Sequence, residues 1–195
     1  MSHSFFSRPT LVVARELLGK ELVRRVNGTL LRSTIIETEA YLEHGDPAAH
    51  CVKRTPRSEV MFGPPGTIYV YFIYGNYFML NFVTEPENTA GAVLIRATKP
   101  IEGIEKMKEL RQKKKVIDAK TLENNLLDGP AKVALAYGID KNLNGKYLET
   151  TGLKLDSGLG VSLGKKILDG DVIRTPRIGI SKGQDLLYRF LVKGI

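Results

Sequence analysis

The residues most able to do chemistry sit at the end of the run Ile35-Ile36-Glu37-Thr38-Glu39-Ala40-Tyr41, with His44, Asp46 and His50 close behind. On a strand, alternate side chains share a face, so Glu37, Glu39 and Tyr41 would point one way and Ile36, Thr38 and Ala40 the other. A carboxylate beside an aromatic platform suits metal-free acid/base hydrolysis, with Glu39 orienting a water. The same stretch also reads as a metal hydrolase, with Glu37, Glu39, His44, Asp46 and His50 as oxygen and imidazole ligands. The plainest alternative is a solvated strand edge.

A second group of residues favours a flat organic substrate. Tyr69, Tyr71, Tyr74 and Tyr77, taken with Tyr41, account for five of the eight tyrosines, and each buried phenol needs a hydrogen-bond partner. Metals do not require tyrosine faces, whereas bases stack on them at roughly 1–3 kcal/mol each. Arg96 interrupts the apolar run Gly91–Ala97 and needs a partner, for which Glu37 and Glu39 are candidates. A non-catalytic nucleic-acid binder would also explain aromatics and cations but would leave the carboxylates facing phosphate without a role.

Positioning these groups requires two hairpins. Leu11, Val12, Leu17 and Leu18 form the buried stripe of a first helix, with Pro9 at its first turn and Gly19 at its end. Strands Glu21–Val26 and Leu30–Tyr41 meet at Asn27-Gly28, a hairpin signal because both residues tolerate positive φ. A second hairpin spans Thr67–Val83 around Gly75-Asn76, and Ala90–Ala97 forms a further strand. A helix is predicted to open at Pro100-Ile101-Glu102 and to end in the basic run Arg111–Lys115; a short helix follows over Leu122–Leu127, then one from Asp128-Gly129-Pro130 to Gly138. Lys132, in that last helix's first turn, is better explained by an anion than by the helix dipole. Strand signals at Lys166–Ile173, Arg177–Ile180 and Tyr188–Val192 suggest antiparallel closure of the sheet. Between them, Leu42–Gly66 lacks periodicity and reads as a functional loop, with Arg54, Thr55 and Arg57 suited to phosphate contacts.

Composition narrows the partner. The 195 residues suit one compact domain, and 29 basic against 21 acidic side chains leave a formal charge of +8, which favours a polyanion, with nucleic acid ahead of an anionic membrane surface. The single cysteine, Cys51, excludes an internal disulfide framework, and its adjacency to His50 is poor geometry for a Cys/His nucleophile. The start lacks the basic and apolar regions of a signal peptide, and no apolar run approaches a membrane span. No GxGxxG, GxxxxGK[ST] or HExxH pattern occurs.

Many separated motifs together resemble the alkyladenine (3-methyladenine, or methylpurine) DNA glycosylases. They are Glu37–Tyr41, Ala48-Ala49-His50, Thr55-Pro56-Arg57, Met61-Phe62, Pro65–Tyr71, Tyr74-Gly75, Asn81 and Arg96-Ala97, nearly in register from Phe5 to Gly138, with a looser fit at Arg177-Ile178-Gly179 and Leu187–Phe190. The resemblance implies a single α+β domain over residues 1–195: a curved antiparallel sheet with hairpins and flanking helices. It implies a monomer that binds double-stranded DNA, flips out a damaged purine and hydrolyses its N-glycosidic bond without metal or cofactor. By position, Glu39 would be the general base, Arg96 and the Ile178 backbone would hold Glu39 and its water, and Tyr41, His50 and Tyr71 would wall the base pocket. Tyr74 would intercalate, Asn81 would reject the 2-amino group of guanine, and Arg54, Thr55, Arg57 and Lys132 would face phosphate. A prokaryotic, cytoplasmic, nucleoid-associated setting fits the absence of a long N-terminal extension.

The resemblance also makes a geometric demand. A two-residue Gly75-Asn76 turn would pair Tyr71 with Leu80 and send Asn81 to the opposite face, so a three-residue or bulged tip is expected. The His50–Thr55 loop is shorter than in eukaryotic members, and Asn76 stands where those carry a bulkier apolar residue.

Overall fold

A computed structural model describes residues 2–113, 117–149 and 158–194. Two short helices, α1 (His3–Phe6) and α2 (Thr10–Glu16), precede the hairpin of β1 (Glu21–Val26) and β2 (Thr29–Leu42). Its turn is the expected one, with φ of 49° at Asn27 and 80° at Gly28. After the long loop come β3 (Ile68–Ile73), β4 (Tyr77–Thr84) and β5 (Gly91–Glu102), then α3 (Ile104–Gln112), α4 (Ala119–Asn124) and α5 (Pro130–Ala136). Strands β6 (Leu159–Ser162), β7 (Val172–Thr175) and β8 (Arg189–Val192) complete an antiparallel sheet of order β3-β4-β5-β2-β1-β6, with β8 joining β7 to β2. The fold is therefore the α+β arrangement that the hairpins and helices imply. No helix among the described residues is long and apolar enough to cross a membrane.

The sheet buries a different cluster on each face. On one, α2 and α5 cover Leu31, Ile35, Ala40, Leu80, Phe82, Val93 and Ile95. The hydroxyl of Thr38 ties β2 to α2 by donating to the Ala14 carbonyl at 2.8 Å. On the other face, the long loop packs Ala49, Cys51, Met61 and Phe62 against Tyr69, Val83 and Ala92. That loop contains two single turns of 3-10 helix, His50–Val52 and Glu59–Phe62.

Two bulges decide which residues of β2 and β5 look toward this second face. Opposite β2, the register steps from Ile35↔Thr98 to Glu37↔Ala97 and then to Thr38↔Ile95, so Ile36 is extra on β2 and Arg96 is extra on β5. Before its bulge, β2 buries Leu31, Ser33 and Ile35; after it, Thr38 and Ala40 take over the core face. The odd positions Glu37, Glu39 and Tyr41 are thereby turned away from the helices.

Several elements depart from the sequence reading. The third helix starts at Ile104 rather than Pro100, because Pro100–Glu102 still pairs with β2 (Ser33↔Pro100, Arg32↔Glu102). Only at Gly103, with φ of 77°, does the chain leave the strand; a Cβ there would lie 2.4 Å from the Leu30 carbonyl oxygen. Lys166–Leu168 and Arg177–Ile180 are loop, and the strand assigned near Ile173 begins at Val172 after a 3-10 turn. The short helix is Ala119–Asn124, one turn earlier than Leu122–Leu127 suggests, because Asp118 caps it by accepting from the Thr121 N–H. Arg111 is not part of a basic surface: it is buried, and its Nη1 donates to the carbonyls of Asn125 and Leu126. Lys114 and Lys115 lie outside the described residues.

Candidate active site

The face selected by the two bulges opens into a cavity of about 510 Å³. β2 contributes Tyr41, β3 contributes Tyr69 and Tyr71, β4 contributes Asn81, and β5 contributes Ala92, Leu94 and Arg96. His50 and Met61 enter from the long loop, Tyr74 from the hairpin tip, and Ile178 to Lys182 from the loop between β7 and β8.

Parity in the second hairpin is set by its turn. Ile73 pairs with Tyr77, Tyr71 with Met79 and Tyr69 with Asn81, leaving the three-residue tip Tyr74-Gly75-Asn76. Tyr71 and Asn81 therefore share a face, as the geometric demand required. Tyr74 takes the left-handed conformation (φ of 54°) and is 73% exposed, so its ring projects from the tip rather than packing in the core.

Glu39 is fully buried, with 0% of its surface exposed. Its Oε1 accepts from the Ile178 N–H at 2.8 Å and faces Nη1 of Arg96 at 3.3 Å; its Oε2 accepts from the Tyr41 hydroxyl at 2.8 Å. Glu39 thus lies behind Tyr41, Arg96 and Ile178, which line the cavity. Glu37 is bound differently: its Oε1 accepts from Nε of Arg96 at 2.9 Å and Nε of Arg189 at 2.6 Å. Two guanidiniums on one carboxylate neutralise it and aim Arg96 at Glu39. The strand thus separates two carboxylates that composition alone leaves equivalent.

The walls are tuned by burial. The Tyr41 phenol is raised far above its ordinary value, first by burial and then by the charge and hydrogen bond of Glu39. The Tyr71 phenol is pushed up to about 12 by burial, with Tyr69 adding to it. His50 is lowered to about 4 by burial and then by the Arg57 charge, so its imidazole is neutral at pH 7. Its Nδ1 lies 2.9 Å from the Tyr69 hydroxyl, and its ring stands edge-on to Tyr71 at 4.7 Å. Asn81 donates its amide to the carbonyls of Tyr69 (3.1 Å) and Met79 (3.3 Å), which fixes the side chain against the cavity wall. Cys51 is buried and its thiol is pushed up to about 12 by that burial, which keeps it a protonated packing residue.

The residues assigned to phosphate are scattered. Arg57 is exposed over the Tyr71 ring at 5.0 Å, near the mouth. Arg54 forms a two-point pair with Glu59 (2.6 and 2.9 Å) and covers Phe62, while Thr55 bonds within its own turn to Ser58. Lys132 does meet an anion, but it is Asp128 of the same chain at 2.7 Å.

The metal-ligand reading does not assemble. His44 is exposed, Asp46 is buried against Arg177, and Glu37 is held by two arginines. Among the described residues, no group of three or more His, Cys, Asp or Glu side chains is placed to hold a metal ion. Arg177 and Arg189 fall in the loosely fitting motifs, where sequence reading gives neither a role. Arg177 meets Asp46 across 131 residues, and nothing local in either segment marks the pairing.

Over residues 4–195 the sequence matches the family described as "Methylpurine-DNA glycosylase (MPG)". A protein of Prosthecochloris aestuarii is 51% identical over 95% of this chain and 84% of its own length. Proteins of Carboxydothermus hydrogenoformans and Clostridium perfringens are 45% and 42% identical, each over 99% of this chain and 95% of their own length. All three carry the name "Putative 3-methyladenine DNA glycosylase". With the family matched over nearly its whole length and with relatives this similar, the chain belongs to the methylpurine-DNA glycosylase family.

Proposed function

We propose that this protein is a DNA repair glycosylase that flips alkylated or deaminated purines from duplex DNA and hydrolyses their N-glycosidic bond. 3-Methyladenine, 7-methylguanine, hypoxanthine and ethenoadenine are its substrates. The observation that carries this reading is the Glu39 carboxylate, held by Ile178, Arg96 and Tyr41 directly behind an aromatic cavity.

In this reading a flipped purine enters between Tyr41, Tyr71 and His50. Electron-rich rings favour a cationic alkylated purine over a neutral one, and unstacking costs least where pairing is already damaged. Tyr74 fills the space left in the helix. Glu39 takes a proton from water while the water oxygen bonds to the sugar C1′, and the glycosidic electron pair leaves with the purine. Arg96 holds Glu39 and the water. For neutral lesions the leaving group is poorer, so rate depends more on positioning. Asn81 crowds the 2-amino group of guanine and so protects normal DNA. Arg57, with Arg54, Thr55 and Lys132, supports the phosphate backbone, and for Arg54 and Lys132 this means exchanging an internal carboxylate for phosphate. The protein works as a single-domain monomer without metal or cofactor, in a bacterial cytoplasm at the nucleoid.

The test is release of 3-methyladenine, 7-methylguanine or hypoxanthine from damaged duplex DNA, in EDTA, by the wild type and by Glu39→Gln. Release by the wild type, with loss of about 10²–10⁴-fold in the variant, supports the reading. Wild-type DNA binding without release would leave a non-catalytic binder, and unchanged activity in Glu39→Gln would remove the base assignment.

A further inference from the structure

The loop between β7 and β8 is exposed at Pro176, Ile178 and Gly179, yet Arg177 in its midst has a side chain with 0% exposure. Its Nη1 donates to the Ala40 carbonyl (2.8 Å) and to Oδ2 of Asp46 (2.6 Å), and its Nη2 donates to Oδ1 of Asp46 (2.6 Å). The guanidinium also lies over the rings of Tyr41 at 4.6 Å and Tyr188 at 5.3 Å. Asp46 in turn accepts from the N–H groups of Leu42 and Ala48, both at 3.1 Å, and so fixes the start of the loop that carries His50. The residue after Arg177 is Ile178, whose N–H reaches Glu39.

We propose that Arg177 is a positioning residue: its clamp on Asp46 and Ala40 holds the Ile178 N–H on the Glu39 carboxylate and braces the Tyr41 ring as a cavity wall. The proposal rests on the reading of Glu39 as the base. From Pro176 to Lys182 the loop is joined to β2 and its continuation through the Arg177 guanidinium and the Ile178 N–H, so the first fixes where the second sits. A buried ion pair contributes little net stability once desolvation is counted, but it specifies geometry. Only a planar fork can make two parallel bonds to a carboxylate, a third to a carbonyl, and stack on two rings; lysine offers a single point charge.

The split between single-turnover excision rate and duplex affinity tests this, because a group that only positions the base lowers the rate without weakening binding. The groups facing Glu39 are Tyr41 from β2, Tyr71 from β3, Arg96 from β5, and Arg177 with the Ile178 N–H from the loop, while Arg189 of β8 is held by Glu37. Asp46→Asn breaks the same clamp from its other side while leaving the Arg177 side chain in place.

Excision of hypoxanthine at saturating enzyme is measured for the wild type, Arg177→Lys and Asp46→Asn, beside each variant's Kd for the same duplex and its Tm. The expected result is a rate about tenfold or more lower in both variants, with Kd within about threefold of wild type. Combining the two changes should add little to either alone, because they break one link. A wild-type rate in a folded Arg177→Lys or in Asp46→Asn would overturn the proposal. A rate loss that tracks Tm, or that is matched by the change in Kd, would do the same. If Arg177→Lys does not fold, Asp46→Asn decides alone. Lack of excision by the wild type would instead defeat the underlying functional reading.

Discussion

The Tyr41 hydroxyl donates to Oε2 of Glu39 at 2.8 Å, joining two residues on one face of β2. The same phenol that lines the cavity therefore also occupies the second oxygen of the buried carboxylate. Tyr41→Phe keeps the ring and removes this bond. Its single-turnover excision rate should fall by about tenfold, as expected for the loss of one hydrogen bond to a charged group. A rate identical to wild type would show that the bond plays no part in the chemistry.

His50 should not titrate near neutrality. Burial, followed by the Arg57 charge, lowers it to about 4. The sign follows: the folded state binds this proton more weakly than the unfolded chain, so the stability tied to neutral His50 is complete above the ordinary histidine value near 6.5. It is lost as pH falls from there toward about 4. The imidazole resonances of His50, followed by NMR, should be flat from pH 8 to about 5. A midpoint near 6.5 would contradict its burial.

Tyr74 should matter to DNA and not to folding. Its side chain is 73% exposed on the hairpin tip, so Tyr74→Ala should leave Tm within about 1–2 °C of wild type. Affinity for a lesion-containing duplex should weaken by about tenfold, in line with roughly 1–3 kcal/mol for an aromatic stacked on bases. Equal affinity in the two proteins would remove the intercalation role.

Tyr137 supplies the converse case. It is buried beneath the sheet, where its hydroxyl meets Ser33 at 2.5 Å and donates to the Leu22 carbonyl at 3.1 Å. Tyr137→Phe strands both partners and should cost about 1–3 kcal/mol of unfolding free energy in a denaturant titration. Single-turnover excision should be unaltered. An unchanged denaturation midpoint would mean that the two partners find others.

DNA affinity should fall steeply with salt, because a chain of formal charge +8 displaces counterions from phosphate. A flat response between about 50 and 200 mM salt would count against the basic surface as the DNA face.

What the sequence determines by itself is local. Asn27-Gly28 specifies a tight hairpin because both residues accept positive φ, and the period of two places Glu37, Glu39 and Tyr41 together. The family resemblance adds that Tyr71 and Asn81 share a face, which calls for a longer second turn, and the three residues Tyr74, Gly75 and Asn76 meet it. The helix start at Pro100 is misread for a reason of reach: Pro100 remains a strand residue because β2 extends far enough to pair with it, and no local signal reports the length of a partner.

Tertiary structure decides the rest. The paired bulges at Ile36 and Arg96 turn the carboxylates from the core to the cavity side and aim at them the guanidinium that the apolar run already marked as needing a partner, although nothing local marks either position as a bulge. The partners that make Glu37 and Glu39 physically unlike, Arg189 on β8 and Ile178 on the preceding loop, come from more than a hundred residues away. Lys132 and Arg54, cations that the sequence offers to phosphate, are each met by a carboxylate four or five residues off. A side chain's type is written in the chain, but whether its charge is available depends on which partners the fold brings within about 3 Å, and that distance is set by the sheet as a whole.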